Sequence, residues 1–151
     1  MATSRESSTQ SHAAPRRPQL LVVDDDPVML RALERMLRGA HPDWAVSVAV
    51  TAFEAAERLR GARHDVLITD LDMPGTSGLD LLRHAAQRHP EVIRIVHSAR
   101  VSDLGGEQLA ELADVVLSKP VDTLDLITVV ESSLSVPDPG QAAAQIPRSA
   151  G

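Results

Sequence analysis

The chain has 151 residues, 43% of them apolar and 24% charged, with a formal net charge of −6. That length suits one ordinary domain with a buried core, and the acidic balance argues against a broad surface for nucleic-acid phosphates or anionic lipid. The absence of cysteine excludes disulfides and thiolate metal sites, and no apolar run approaches the roughly 20 residues that span a bilayer.

Residues 1–18 are rich in Ser, Thr, Gln, Ala and Pro without apolar periodicity, and are expected to form a disordered arm. Arg16 and Arg17 precede Leu20 and Leu21 as in a twin-arginine signal. The apolar stretch ends at Val23 and meets three aspartates, however, so it is too short for a signal core. A cytoplasmic location is expected. Leu20–Val23 reads as the first buried strand and Val28–Arg38 as the first helix, with Met29, Leu33, Met36 and Leu37 on one side. Asp26 suits a cap there and Pro27 the first turn. Trp44–Val50 is the second strand and Thr51–Arg60 the second helix. Val66–Thr69 and Leu79–Arg88 follow as the third pair, and Val92–His97 as the fourth strand. The stretch from Val101 to Leu112 is weakened by Gly105 and Gly106, so its helix should begin late or be mobile. Val115–Ser118 and Asp122–Leu134 close the series, with Thr51, Ser77 and Asp122 as N-caps. Residues 136–151 turn to Pro, Gly, Ala and Gln and read as a disordered tail, which leaves one folded unit at 19–135.

Five strands alternating with five helices imply a doubly wound, five-stranded parallel sheet with helices on both faces, a flavodoxin-like (βα)5 α/β fold. Ligand chemistry in such sheets sits at the carboxyl ends of the strands. Strand one ends in Asp24, Asp25 and Asp26. Strand three ends in Asp70-Leu71-Asp72-Met73-Pro74-Gly75, strand four in Ser98 and strand five in Ser118-Lys119-Pro120. Carboxylates converging there repel one another unless a hard cation such as Mg²⁺ offsets their charge. Lys119 adds a mobile positive charge and Ser98 a hydroxyl donor, a set that suits phosphoryl transfer to a carboxylate. Any one of these residues alone reads as an ordinary turn or cap; only the set carries the argument.

These segments, Leu-Leu-Val-Val-Asp-Asp-Asp-Pro at 20–27, Leu-Ile-Thr-Asp-Leu-Asp-Met-Pro-Gly at 67–75 with Gly78, Val-His-Ser-Ala at 96–99 and Ser-Lys-Pro at 118–120, strongly resemble the receiver domains of response regulators in two-component signalling, the CheY-like superfamily. The resemblance covers the whole folded unit. It implies Asp70 as phosphoacceptor, Asp25 as a direct Mg²⁺ ligand (with Mn²⁺ as the alternative ion) and Asp24 acting through water. It also implies the Asp72 backbone carbonyl as a metal ligand, Ser98 as switch hydroxyl, Lys119 as the phosphoryl contact and a cis bond before Pro120. The donor would be a sensor histidine kinase or phosphotransfer protein. Asp72 and Arg100 would flank the site and tune phosphoryl lifetime. Where the family usually carries Tyr or Phe, this chain has Val116, so an aromatic rotamer switch is absent and the Gly105–Gly106 region is the expected route of transmission.

The expected function is that of a stand-alone, non-enzymatic signalling protein. It would work through a downstream protein target, or through a homodimer using the face around the last two helices, without direct nucleic-acid or membrane contact. Two rivals remain: a receiver-like interaction module that is never phosphorylated, and a haloacid-dehalogenase-type phosphatase using Asp70-Leu71-Asp72. The phosphatase family usually continues with Thr or Val, whereas Met73-Pro74 follows here. His97, as the strand neighbour of Ser98, should point away from the pocket as a structural histidine, and His84 and His89 should lie at the surface.

Overall fold

A computed structural model describes residues 16–75, 77–101 and 106–135. The elements run β1 (Gln19–Val23), α1 (Pro27–Ala40), β2 (Ala45–Ala49), α2 (Ala52–Gly61), β3 (Val66–Thr69), α3 (Gly78–Arg88), β4 (Ile93–Ser98), α4 (Gly106–Leu112), β5 (Val115–Ser118) and α5 (Thr123–Leu134). All pairings are parallel and the strand order is β2-β1-β3-β4-β5, so strand order reverses between β1 and β3. The doubly wound architecture expected from the alternation is the one found.

Strand alternation divides the core. Leu20, Val22, Val66, Ile68 and Ile95 face Leu30, Leu33 and Leu37 of α1 and Leu126, Ile127 and Val130 of α5. Their neighbours Leu21, Val23 and Leu67 face Ala52, Ala55 and Leu59 of α2 and Leu81 and Ala85 of α3. A third cluster joins Leu82, Val96 and Leu109 with the half-buried Val116. β5 is half-buried rather than buried because it is the sheet edge and its cover, α4, is only seven residues long.

The caps behave as the sequence suggests. Asp26 accepts from the Val28 N–H at 2.9 Å, Thr51 from Glu54, Ser77 from Asp80 and Asp122 from Leu124. Glu54 also reaches back past the cap to accept from the Val50 N–H. α4 does start late, at Gly106; Gly105 and the expected transmission route through it lie outside the described residues, as do most of the expected arm (1–15) and the whole tail (136–151). The last residues of that arm are anchored: Pro18 O accepts from Ala45 N at 2.8 Å and Arg17 Nε donates to Asp43 O at 2.8 Å.

At the end of the sheet away from the strand termini, His41 stacks on the buried Trp44 at 3.9 Å, and its Nε2 lies 2.7 Å from Glu131 on α5. His84 and His89 are half-buried, not surface residues. Their rings sit 5.8 Å apart, and His84 Nε2 is buried without a partner among the described residues.

Candidate phosphoacceptor site

The site is an extension of the sheet. Beyond the strands the backbone continues in ladder fashion: Asp24 N donates to Ala49 O, Asp70 N to Val23 O and Lys119 N to Ser98 O. Asp24, Asp70, Ser98 and Lys119 are thereby fixed by rigid elements rather than by mobile loops. Asp24, Asp25 and Asp70 each present a carboxylate oxygen, and these oxygens all lie within 4.8 Å of one another. Asp24 and Asp70 are buried and Asp25 is exposed. Lys119 Nζ donates to Asp24 Oδ2 at 2.8 Å and to Asp70 Oδ2 at 2.9 Å, closing the cluster.

Electrostatics follow from that placement. Burial raises the pKa of Asp70, but the Asp72 backbone N–H (3.1 Å from Oδ1), Lys119 and the Ser98 hydroxyl outweigh it, so its carboxyl sits below the ordinary 3.8 and stays ionised. Burial likewise disfavours charge on Lys119, yet its bonds to Asp24 and Asp70 hold its pKa above 10.5. Asp25 is pushed upward by partial burial and then by the charge of Asp24. One ammonium against three carboxylates leaves the cluster negative, and an all-oxygen set of this kind fits a hard divalent cation. Asp24, Asp25 and Asp70 are the residues that would hold it. Bound there, such an ion would neutralise charge on a transferring phosphoryl group.

The loop after Asp70 is shaped by two glycines. Gly75 has φ +82°, in the left-handed region that a side chain disfavours. Gly78 packs directly against the loop that follows Asp70: a Cβ there would lie 2.0 Å from the Asp70 carbonyl oxygen and 2.7 Å from Leu71 Cα. Sequence reading singled out Gly78 only as part of a motif; the reason for it is this backbone approach. Asp72 and Arg100 flank the mouth, with Arg100 NH1 3.8 Å from Asp72 Oδ1 and both side chains largely exposed. Ser98 is fully buried and its hydroxyl accepts from Arg100 N. The Lys119–Pro120 bond is cis, and Val116 stands on the α4 side of the sheet, where it packs with the Leu109 cluster.

His97 faces away from Ser98, as expected, on the side of the sheet that carries Ile95. It lines a cavity together with Lys119, Ala99 and Pro120 on the α1/α5 face. Lys119 therefore links the carboxylate cluster to that face of the sheet, which the alternation of side chains along a single strand does not reveal.

The chain is thus a doubly wound α/β domain with an acidic trio and a lysine at its strand ends, and similarity to known proteins narrows it further. The family profile "Response regulator receiver domain" matches residues 20–131, and the chain belongs to that family. Among curated relatives it is 34% identical over 143 residues to protein-glutamate methylesterase/protein-glutamine glutaminase 1 of Cereibacter sphaeroides, covering 91% of this chain and 38% of the relative. It is 38% identical over 120 residues to the DNA-binding transcriptional regulator NtrC of Escherichia coli K12, covering 76% of this chain and 24% of NtrC. The chain thus spans only about a quarter to two-fifths of these relatives' length. Among solved structures, a receiver domain from Clostridium thermocellum matches with a TM-score of 0.71 at 27% identity, covering 78% of this chain and 94% of that one. TrrA of Thermotoga maritima, solved in complex with Mg²⁺-BeF, matches with a TM-score of 0.68 at 25% identity, covering 77% and 98%. No helix among the described residues is long and apolar enough to cross a membrane.

Proposed function

We propose that this chain acts as a response-regulator receiver that accepts a phosphoryl group on Asp70 from the phosphohistidine of a sensor kinase or phosphotransfer protein. The observation that carries this reading is Lys119 Nζ bridging Asp70 and Asp24 beside the Asp25 carboxylate. An ionised Asp70 oxygen attacks the phosphorus in line with the departing imidazole nitrogen, and the new acyl phosphate keeps the phosphoryl group on Asp70. Asp24, Asp25 and Asp70, with the Asp72 carbonyl, would hold Mg²⁺ or Mn²⁺, which would supply positive charge to the phosphoryl group. Lys119 and Ser98 take the phosphoryl oxygens. The receiver would pass its signal through docking to a downstream protein or to a second copy, in a cytoplasmic setting.

Incubation with Mg²⁺ and acetyl phosphate, followed by intact mass, tests this. One phosphoryl group should be gained, only with Mg²⁺ present and not by Asp70→Asn. No gain despite confirmed Mg²⁺ binding would leave the unphosphorylated interaction module as the better reading.

The Asp72–Arg100 pair is too exposed to matter for stability, at under about 1 kcal/mol. The role proposed for it is to control the approach of hydrolytic water to Asp70. Asp72→Ala or Arg100→Ala should each shorten the phosphoryl lifetime severalfold, as timed by loss of label, with little change in melting temperature. An unchanged lifetime in both would reduce the pair to a solvated contact.

A further inference from the structure

The cavity beneath Lys119, of about 600 Å³, is walled by Met29, Leu33 and Met36 of α1 and Leu126 of α5, with His97 and Lys119 along the sheet. His97 is 5% exposed and shares the lining of this cavity with Lys119. In register, His97 pairs with Leu117, two residues before Lys119 on the same face of the sheet. The charged groups that act on it are Lys119 from the end of β5, and Asp24 and Asp70 from the ends of β1 and β3. From α1 the cavity receives Met29, Ala32, Leu33 and Met36, and from α5 Thr123 and Leu126, none of them ionisable. The strongest of the three charges is the like charge of Lys119, and the walls are mostly apolar, so an imidazolium is poorly accommodated. Burial, then Lys119, holds the His97 pKa below the ordinary 6.5.

We propose that His97 is a positioning residue for Lys119: the neutral ring lets the ammonium stay seated between Asp24 and Asp70, and protonation of the ring drives it outward. A second cation behind Lys119 would repel the ammonium and compete with it for the field of the two carboxylates. The receiver's phosphoryl chemistry, on the function proposed above, would then weaken in acid at a step set by His97. The effect belongs to this chain's own histidine, and it connects the α1/α5 cavity to the reacting groups through a single side chain.

The direct test is an NMR titration from pH 8 to 5 with no Mg²⁺ or phosphodonor, following the Lys119 side-chain ε-CH2 and the His97 ring in the full chain. Lys119 should shift with the same midpoint as His97, and that inflection should vanish in His97→Gln and in His97→Leu, the second of which also fills the cavity with apolar volume. A Lys119 signal that is flat through the His97 midpoint, or an inflection that survives in a folded variant, overturns the proposal. Acetyl phosphate uptake supplies the second arm: between pH 7.5 and 5.5 the wild-type rate should fall severalfold further than that of either variant, and parallel profiles overturn the link to chemistry. If no protein takes up phosphoryl groups at all, the proposed function fails, while the titration still decides the role of His97.

Discussion

Alanine at position 78 should unfold or severely weaken the domain. The added methyl group would sit 2.0 Å from the Asp70 carbonyl oxygen and under 3 Å from Leu71 Cα. Overpacking against flexible side chains costs about 1–3 kcal/mol because they can swing aside. Here the obstacle is backbone, and it is backbone anchored by Asp70 N–Val23 O and Gly78 N–Leu71 O hydrogen bonds. The cost should therefore reach or exceed the upper end of that range, lowering the melting temperature by more than about 10 °C in a domain of this size. Thermal denaturation of Gly78→Ala beside Gly39→Ala is the measurement, since Gly39 has open space around its Cβ position. Equal melting temperatures would show that the loop yields easily and that Asp70 is less rigidly held than its contacts imply.

Replacing Lys119 with methionine should move metal binding and phosphoryl uptake in opposite directions. The side chain keeps its length, but the ammonium bonded to Asp24 and Asp70 is gone. Three close carboxylates then lack their internal counter-charge, so Mg²⁺ should bind more tightly by calorimetry. The phosphoryl oxygens lose a positioned cation at the moment charge redistributes. By analogy with removal of one oxyanion donor, the initial rate of acetyl phosphate uptake should fall by about 100-fold or more. Asp70 also loses one of the groups that lower its pKa, so its uptake should decline further at acid pH than in the wild type. Weaker Mg²⁺ binding would mean that Lys119 organises the carboxylates rather than competing with the ion. An unchanged rate would remove the lysine from the chemistry.

Much of the architecture was legible because each local signal agreed with the global one. Buried strands such as Leu20–Val23 and Val66–Thr69 were continuous apolar runs, and the caps at Asp26, Thr51, Ser77 and Asp122 stood where the pattern changed. The convergence of Asp24, Asp25, Asp70 and Lys119 could be inferred as well, since parallel strands put all their carboxyl ends on one edge. What a linear reading missed is contact between elements. His84 reads as a surface residue because no third ligand accompanies it, yet its Nε2 is buried. Gly78 declared a motif without declaring the atoms it must avoid. His97 was correctly placed opposite Ser98, but alternation within β4 could not show that Lys119, arriving from β5, would share its side of the sheet.

Trp44, locked under His41 at the far end of the fold, has a practical corollary. The chain has no tyrosine, and its single phenylalanine, Phe53, is exposed on α2. Near-ultraviolet absorbance and emission therefore come almost wholly from one indole remote from Asp70. The reacting end of the molecule is optically dark: intrinsic fluorescence will follow the opening of the α1–β2 corner and stay blind to ion or phosphoryl binding. A tryptophan installed at Val116 would be read against very little background, making the position that lacks the family's aromatic a convenient window on its switching.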